Sequence, residues 1–146
     1  METLLNFIHD TEKEEEEEEE SPMNDLVLVV GDLNQQREKD YTVPEWQVIS
    51  ANKKRRKSPL NDGVATLLGS YGFRCHFDEI NPSETELNWN PSDPPPSTHW
   101  TGTIVDYVYY KTRKNTGTDT KVRGIHVSPR DLSDHRLVVT DLELFS

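Results

Sequence analysis

Cysteine is almost missing from this chain: Cys75 stands alone. One thiol cannot close an intramolecular disulfide, and a multi-cysteine zinc site is excluded with it. The expectation is a reducing compartment, intracellular and either cytoplasmic or nuclear. Long apolar runs are missing too. Nothing approaches the roughly 20 apolar residues that cross a bilayer as a helix. The opening METLLNFIHD has no basic flank leading into a long apolar core, so neither a signal peptide nor a membrane span is expected. Hydrophobic residues make up only 32% of 146, against 29% charged. That supports one core of ordinary domain size with part of the chain left outside it.

Positive charge is in deficit, with a net charge of -11. The deficit is concentrated. Glu12 and the run Glu14 to Glu20 set eight carboxylates against the single ammonium of Lys13, which accounts for -7 and leaves -4 for the rest of the chain. The low isoelectric point therefore describes one segment and does not exclude a phosphate-bearing ligand. Such a run repels itself, so a solvated loop or disordered insertion is expected, with a partner-binding tract as the alternative.

What is present begins with ETLLNFIHD, where Leu4, Leu5 and Ile8 recur at helical spacing beside Phe7. DLVLVV, ending at Gly31, reads as a strand buried on both faces. SPLNDGVATLLGSYGF places Val64, Leu67, Leu68 and Tyr71 on one helical face, with Gly72 to stop the helix. FRCHF reads as a strand, and NPSETELNWNPSDPPPS as an extended loop. GTIVDYVYYK alternates as a strand, with Asp106 in its middle. NTGTDTKVRG reads as a turn, IHVSP as a short extended piece, and HRLVVTDLELF as a final strand begun by His135. No internal repeat is visible. Helix, strand, helix and strands make the class α+β or α/β.

Three fragments, GDLN, IVDYVYY and LSDHRLVV, each set an aspartate at or near an apolar strand. A buried carboxylate is costly unless paired or metal-bound, so three such placements suggest one shared site. Asp32 and Asn34 lie two apart and point the same way in an extended segment. The carboxylate can orient or deprotonate a water, and the amide can donate to a phosphoryl oxygen. Gly31 lets a ligand approach the backbone. His135 working near neutral pH needs an orienting partner on its second nitrogen, for which Asp106 is the candidate. Asp134 is then left for a divalent cation. Turn-forming aspartates and an exposed histidine are the plainer reading of each fragment taken alone.

Taken together, VVGDLN (29 to 34), IVDYVYY (104 to 110) and LSDHRLVVTDLEL (132 to 144) resemble the C-terminal half of the endonuclease/exonuclease/phosphatase family, which has the fold of deoxyribonuclease I. LNWNPSDP (87 to 94) and ETLLNFIHD are similar to the family segments that precede its Asp-Tyr and Gly-Asp-x-Asn strands. The resemblance implies about half of a two-sheet, four-layer sandwich. It divides the chain into a helix at 1–11, an acidic insertion at 12–25 and the half-domain at 26–146. It also implies Mg²⁺-dependent hydrolysis of a phosphodiester or phosphomonoester, in nucleic acid, an inositol phosphate or a phospholipid. Asp32 would position the attacking water and Asn34 the phosphate. His135, oriented by Asp106, would contact the phosphate oxygen or shuttle a proton, and Asp134 would lie near the metal.

The family's first half carries an Asn, a Mg²⁺-binding Glu and usually another His on upstream strands. Only 31 residues precede Asp32, and His9 matches none of these. An incomplete Mg²⁺ site, one sheet largely absent and weak or no activity are expected. A non-catalytic remnant that binds nucleic acid or a protein is the alternative. His99 and Trp100 fall where the family's substrate loops lie, and Trp100 is placed to stack on a base or to cover a core edge. KKRRK (53 to 57) reads as a basic loop, a nuclear localisation signal or a phosphate contact. Tyr107, Tyr109, Tyr110, Cys75 and His76 read as structural.

Overall fold

The apolar run forms β1 (Leu26–Asp32), and it lies at the edge of a sheet. The computed structural model describes residues 26–60, 63–112, 119–129 and 133–145, so the expected helix at 1–11 and the acidic run fall outside it. After β1 come a 3-10 turn (Glu38–Asp40), α1 (Val43–Arg55), α2 (Val64–Ser70) and β2 (Arg74–Cys75). A second 3-10 turn (His76–Asp78), β3 (Glu86–Leu87), β4 (Asp106–Thr112), β5 (Asp119–Val127) and β6 (Val138–Phe145) follow. The class is α+β. One sheet runs β1-β4-β2 and the other β3-β5-β6. Two sheets of three strands replace the expected near-loss of one sheet, because the segment from Asp119, expected as a turn, and the short piece after it are one nine-residue strand. No helix among the described residues is long and apolar enough to cross a membrane.

β1 and β4 are antiparallel, with Asp32 opposite Asp106, Val30 opposite Val108 and Leu28 opposite Tyr110. Facing residues share one side of a sheet. On that side Tyr110 and Val108 are buried, yet Leu28 is 48% and Val30 63% exposed. The face is covered over β4 and left open over β1, so the strand is not buried on both faces as expected. Val27 and Val29 on the opposite side, and Leu26 at the start of the strand, pack against a core cluster of Leu68, Phe73, Cys75, Phe77, Ile104, Tyr107, Tyr109, Tyr110, Val122 and Ile125. The three tyrosines and Cys75 are structural, as their strand context implied.

α2 ends as Gly72 indicates. Gly72 has φ 81°, its N–H bonds Gly69 O at 3.0 Å, and Phe73 N–H bonds Leu68 O at 3.0 Å. This is the left-handed stop that glycine adopts without strain. α1 is the element the apolar pattern hides, since no residue in it is fully buried. What starts it is TVPE: Thr42 N–H and Oγ1 both donate to Glu45 Oε2, at 2.8 and 2.6 Å. Its last turn carries Lys53, Lys54 and Arg55, which suit the negative end of the helix dipole. Most of the expected basic loop is thus helical. Tyr41 ties this region to the segment just before β4, accepting from Ile104 N–H at 2.7 Å and stacking on Trp46.

Candidate functional site

Three separate segments meet at the end of β1. Asp32 closes that strand, and the next turn is shaped by its own carboxylate: Oδ1 accepts Asn34 N–H at 2.7 Å. Asn34 has φ 50°, a left-handed conformation asparagine tolerates well. Asp106 is the first residue of β4 rather than its middle, because Val105 N–H and Asp106 N–H both go to Thr98 Oγ1 instead of a strand neighbour. His135 likewise precedes β6 by three residues and sits in a short antiparallel bridge with His99.

The loop before β4 and the segment before β6 are joined through their backbones. Arg136 N–H bonds Thr98 O at 2.8 Å and Trp100 N–H bonds Asp134 O at 2.9 Å. Thr98 is fully buried. It therefore positions Asp106 through its hydroxyl and, through its carbonyl, Arg136 next to His135, a role that no feature of the sequence pattern announced.

His135 Nδ1 lies 2.9 Å from Asp106 Oδ2, and its Nε2 lies 3.7 Å from Asp32 Oδ2. The hydrogen bond to Asp106 is the main reason the imidazole pKa is raised, opposed by desolvation and reinforced by the charges of Asp106, Asp134 and Asp32. Asp106 holds the proton on Nδ1 and leaves Nε2 facing outward. His99 stands beside it, with ring centres 4.9 Å apart.

Asp32 and Asn34 open into a cleft of about 590 Å³ whose other walls include His99 and Thr101 and, from the end of α1, Lys53 and Arg56. Two residues of the basic patch thus face the same space as the Asp32 carboxylate. Trp100 does not cover a core edge: it is 67% exposed, next to His99. Asp134 is also exposed.

Comparison with protein-family models, curated proteins and solved structures finds no match to the chain.

Mg²⁺, the cation implied by the resemblance, takes six oxygens in near-octahedral order. The ligand-bearing cluster among the described residues is His99, Asp134 and His135, two imidazoles and one carboxylate. That donor set does not fit Mg²⁺.

Proposed function

We propose that the cleft binds a phosphate-bearing ligand and that Asp32, Asn34, Asp106 and His135 form a phosphoester-hydrolysis site of the deoxyribonuclease I-like kind. One observation carries this reading: Asp32, Asp106 and His135, from three segments, meet within hydrogen-bond and ion-pair distance, and Asp32 of the three lines the cleft beside Asn34. In this arrangement Asp106 keeps His135 Nδ1 protonated. His135, with its raised pKa, donates from Nε2 to a phosphoryl oxygen. The Asn34 amide donates to a second oxygen, and Asp32 orients the attacking water. Lys53 and Arg56 lie along the same cleft, suited to a neighbouring phosphate, which favours a diester in a polymer over a small monoester. The chain alone is a slow catalyst on this reading. Neutralising the charge that builds on the phosphoryl oxygens is what lowers the barrier most in such reactions, and the ligand cluster among the described residues is not an oxygen set suited to Mg²⁺.

A second reading, nucleic-acid binding without turnover, is favoured by the same Lys53 and Arg56. Both readings are tested with a labelled single-stranded oligonucleotide, measuring binding and cleavage together. Binding is expected to weaken in Asn34→Ala and His135→Ala. Its salt dependence should become shallower in the double variant Lys53→Gln/Arg56→Gln, because fewer counterions are released. Slow cleavage lost in His135→Ala supports hydrolysis, and binding without any cleavage supports the second reading. Binding and cleavage indifferent to all four substitutions would refute both.

A further inference from the structure

We propose that His99, His135 and Asp134 form a site for a divalent transition metal that accepts imidazole, Zn²⁺ or Co²⁺ in preference to Mg²⁺. One ligand atom of each residue lies within 4.8 Å of the others. That spacing suits side chains about to close on a single ion. The donor set follows the general preference of borderline cations for nitrogen and of Mg²⁺ for oxygen.

The three residues are held by backbone rather than left to long, mobile side chains. His99 and His135 face each other in an antiparallel bridge, and Trp100 N–H to Asp134 O locks the next step of the same ladder. Such a frame lowers the ordering cost of bringing the ligands together.

Both rings also have their inner nitrogen engaged. Asp106 takes Nδ1 of His135 at 2.9 Å, the carboxylate–histidine arrangement that commonly backs a metal ligand. Thr101 Oγ1 sits 2.7 Å from Nδ1 of His99 and 3.0 Å from Thr103 Oγ1. Thr101 N–H also donates to Nδ1 of His99, at 3.4 Å, so taking the ion on Nε2 requires the ring proton to move to Nδ1, where it donates to Thr101 Oγ1 while that hydroxyl donates to Thr103 Oγ1. Each histidine thus offers Nε2. Asp32 Oδ2, 3.7 Å from Nε2 of His135, adds negative charge beside the site. The site borders the cleft through His99. The ion and the proton compete for Nε2 of His135, so a metal-bound site replaces the protonated donor of the phosphoester reading; the proposal rests on that reading only for what the ion would act on, since metal binding can be measured without any substrate.

The test is titration of the tag-free chain with Co²⁺, followed by its visible ligand-field absorption, and then displacement by Zn²⁺ or Mg²⁺. One Co²⁺ per chain is expected, displaced by Zn²⁺ and resistant to a large excess of Mg²⁺. His99→Asn should abolish the absorption band. Asp106→Asn should weaken binding by about 10- to 100-fold, the usual effect of losing such a backing group. His126→Asn, at the surface near Glu86, should change nothing. Circular dichroism on each variant separates a lost ligand from a lost fold. No Co²⁺ binding, binding unaffected by His99→Asn in a folded variant, or displacement by Mg²⁺ as readily as by Zn²⁺ would overturn the proposal. A chain that binds Co²⁺ as described but shows no His135-dependent oligonucleotide binding would retain the metal site and lose the phosphoester reading.

Discussion

Asp106 and His135 are 29 residues apart in sequence and 2.9 Å apart in space, Oδ2 to Nδ1. Their bond favours the imidazolium. His135 is therefore expected to titrate above the ordinary imidazole value of about 6.5. Because the folded pKa exceeds the unfolded one, its contribution to stability is complete below pH 6.5 and fades as pH rises through the folded value. Metal-free NMR titration of the His135 ring checks this, and Asp106→Asn should bring the midpoint down. An unchanged midpoint in that variant would contradict the assignment of cause.

His76 should behave in the opposite sense. It is fully buried, with Nδ1 2.7 Å from Thr140 Oγ1 and Nε2 without a hydrogen-bond partner among the described residues. Burial, assisted by the nearby Arg37 charge, pushes its pKa down to about 3. Between about pH 6.5 and that value the unfolded chain holds a proton the folded chain refuses, so stability falls on acidification by at most about 1.4 kcal/mol per pH unit. Urea unfolding at neutral and mildly acidic pH should show this slope, and His76→Phe should flatten it.

Arg37 and Asp40 form a buried pair, joined through Nη2–Oδ1 at 2.6 Å and Nε–Oδ2 at 2.7 Å. Tyr107 Oη donates to Asp40 at 2.9 Å, and Asp78 accepts from Arg37 Nη1 at 2.9 Å. Arg37→Ala strands a carboxylate in the interior and should cost about 3–5 kcal/mol in urea denaturation. Arg37→Met/Asp40→Leu should recover most of that, since removing both charges removes the desolvation penalty with them. A double variant as unstable as Arg37→Ala would contradict the account.

Thr42→Ala should cost about 1 kcal/mol. With no fully buried residue, α1 depends on its cap and on Tyr41 and Trp46 more than on a core face. Hydrogen exchange should therefore quicken across residues 43–55 while β4 keeps its protection. A uniform loss over both would show instead that the helix and sheet unfold as one unit.

The chemistry-bearing positions were legible because each pairs a polar residue with an apolar strand. GDLN, IVDYVYY and the SDH sequence could be read directly, and Asp32, Asp106 and His135 do come together. α2 was equally plain from its periodic leucines and Gly72. α1 was not, because Val43 and Val48 face solvent and the apolar stripe that marks most helices is absent; only the capping residues Thr42 and Glu45 carried the signal. β5 was hidden by Gly124, where the register with β6 shifts and breaks the alternation. Its lack of a side chain also leaves room for Asp141, whose carboxylate would lie 2.8 Å from a Cβ there. The Arg37–Asp40 pair and Thr98 look like ordinary loop residues until tertiary structure buries them.

The open side of β1 has a colloidal consequence. Among the described residues the strand has a hydrogen-bonded neighbour only in β4, and Leu28 and Val30 flank its free edge from solvent. An edge of this composition is a template for strand addition by another chain. The eight carboxylates at 12–20 precede Leu26 in the chain, so each of two chains pairing through this edge adds such a charge block to the pair, and the blocks repel. The acidic run then acts as a gatekeeper for the strand it precedes. Light scattering should show the chain tolerating concentration at low salt and self-associating as salt screens the repulsion. Val30→Lys should suppress that association, and replacing Glu14–Glu20 with Ser should bring it on without added salt.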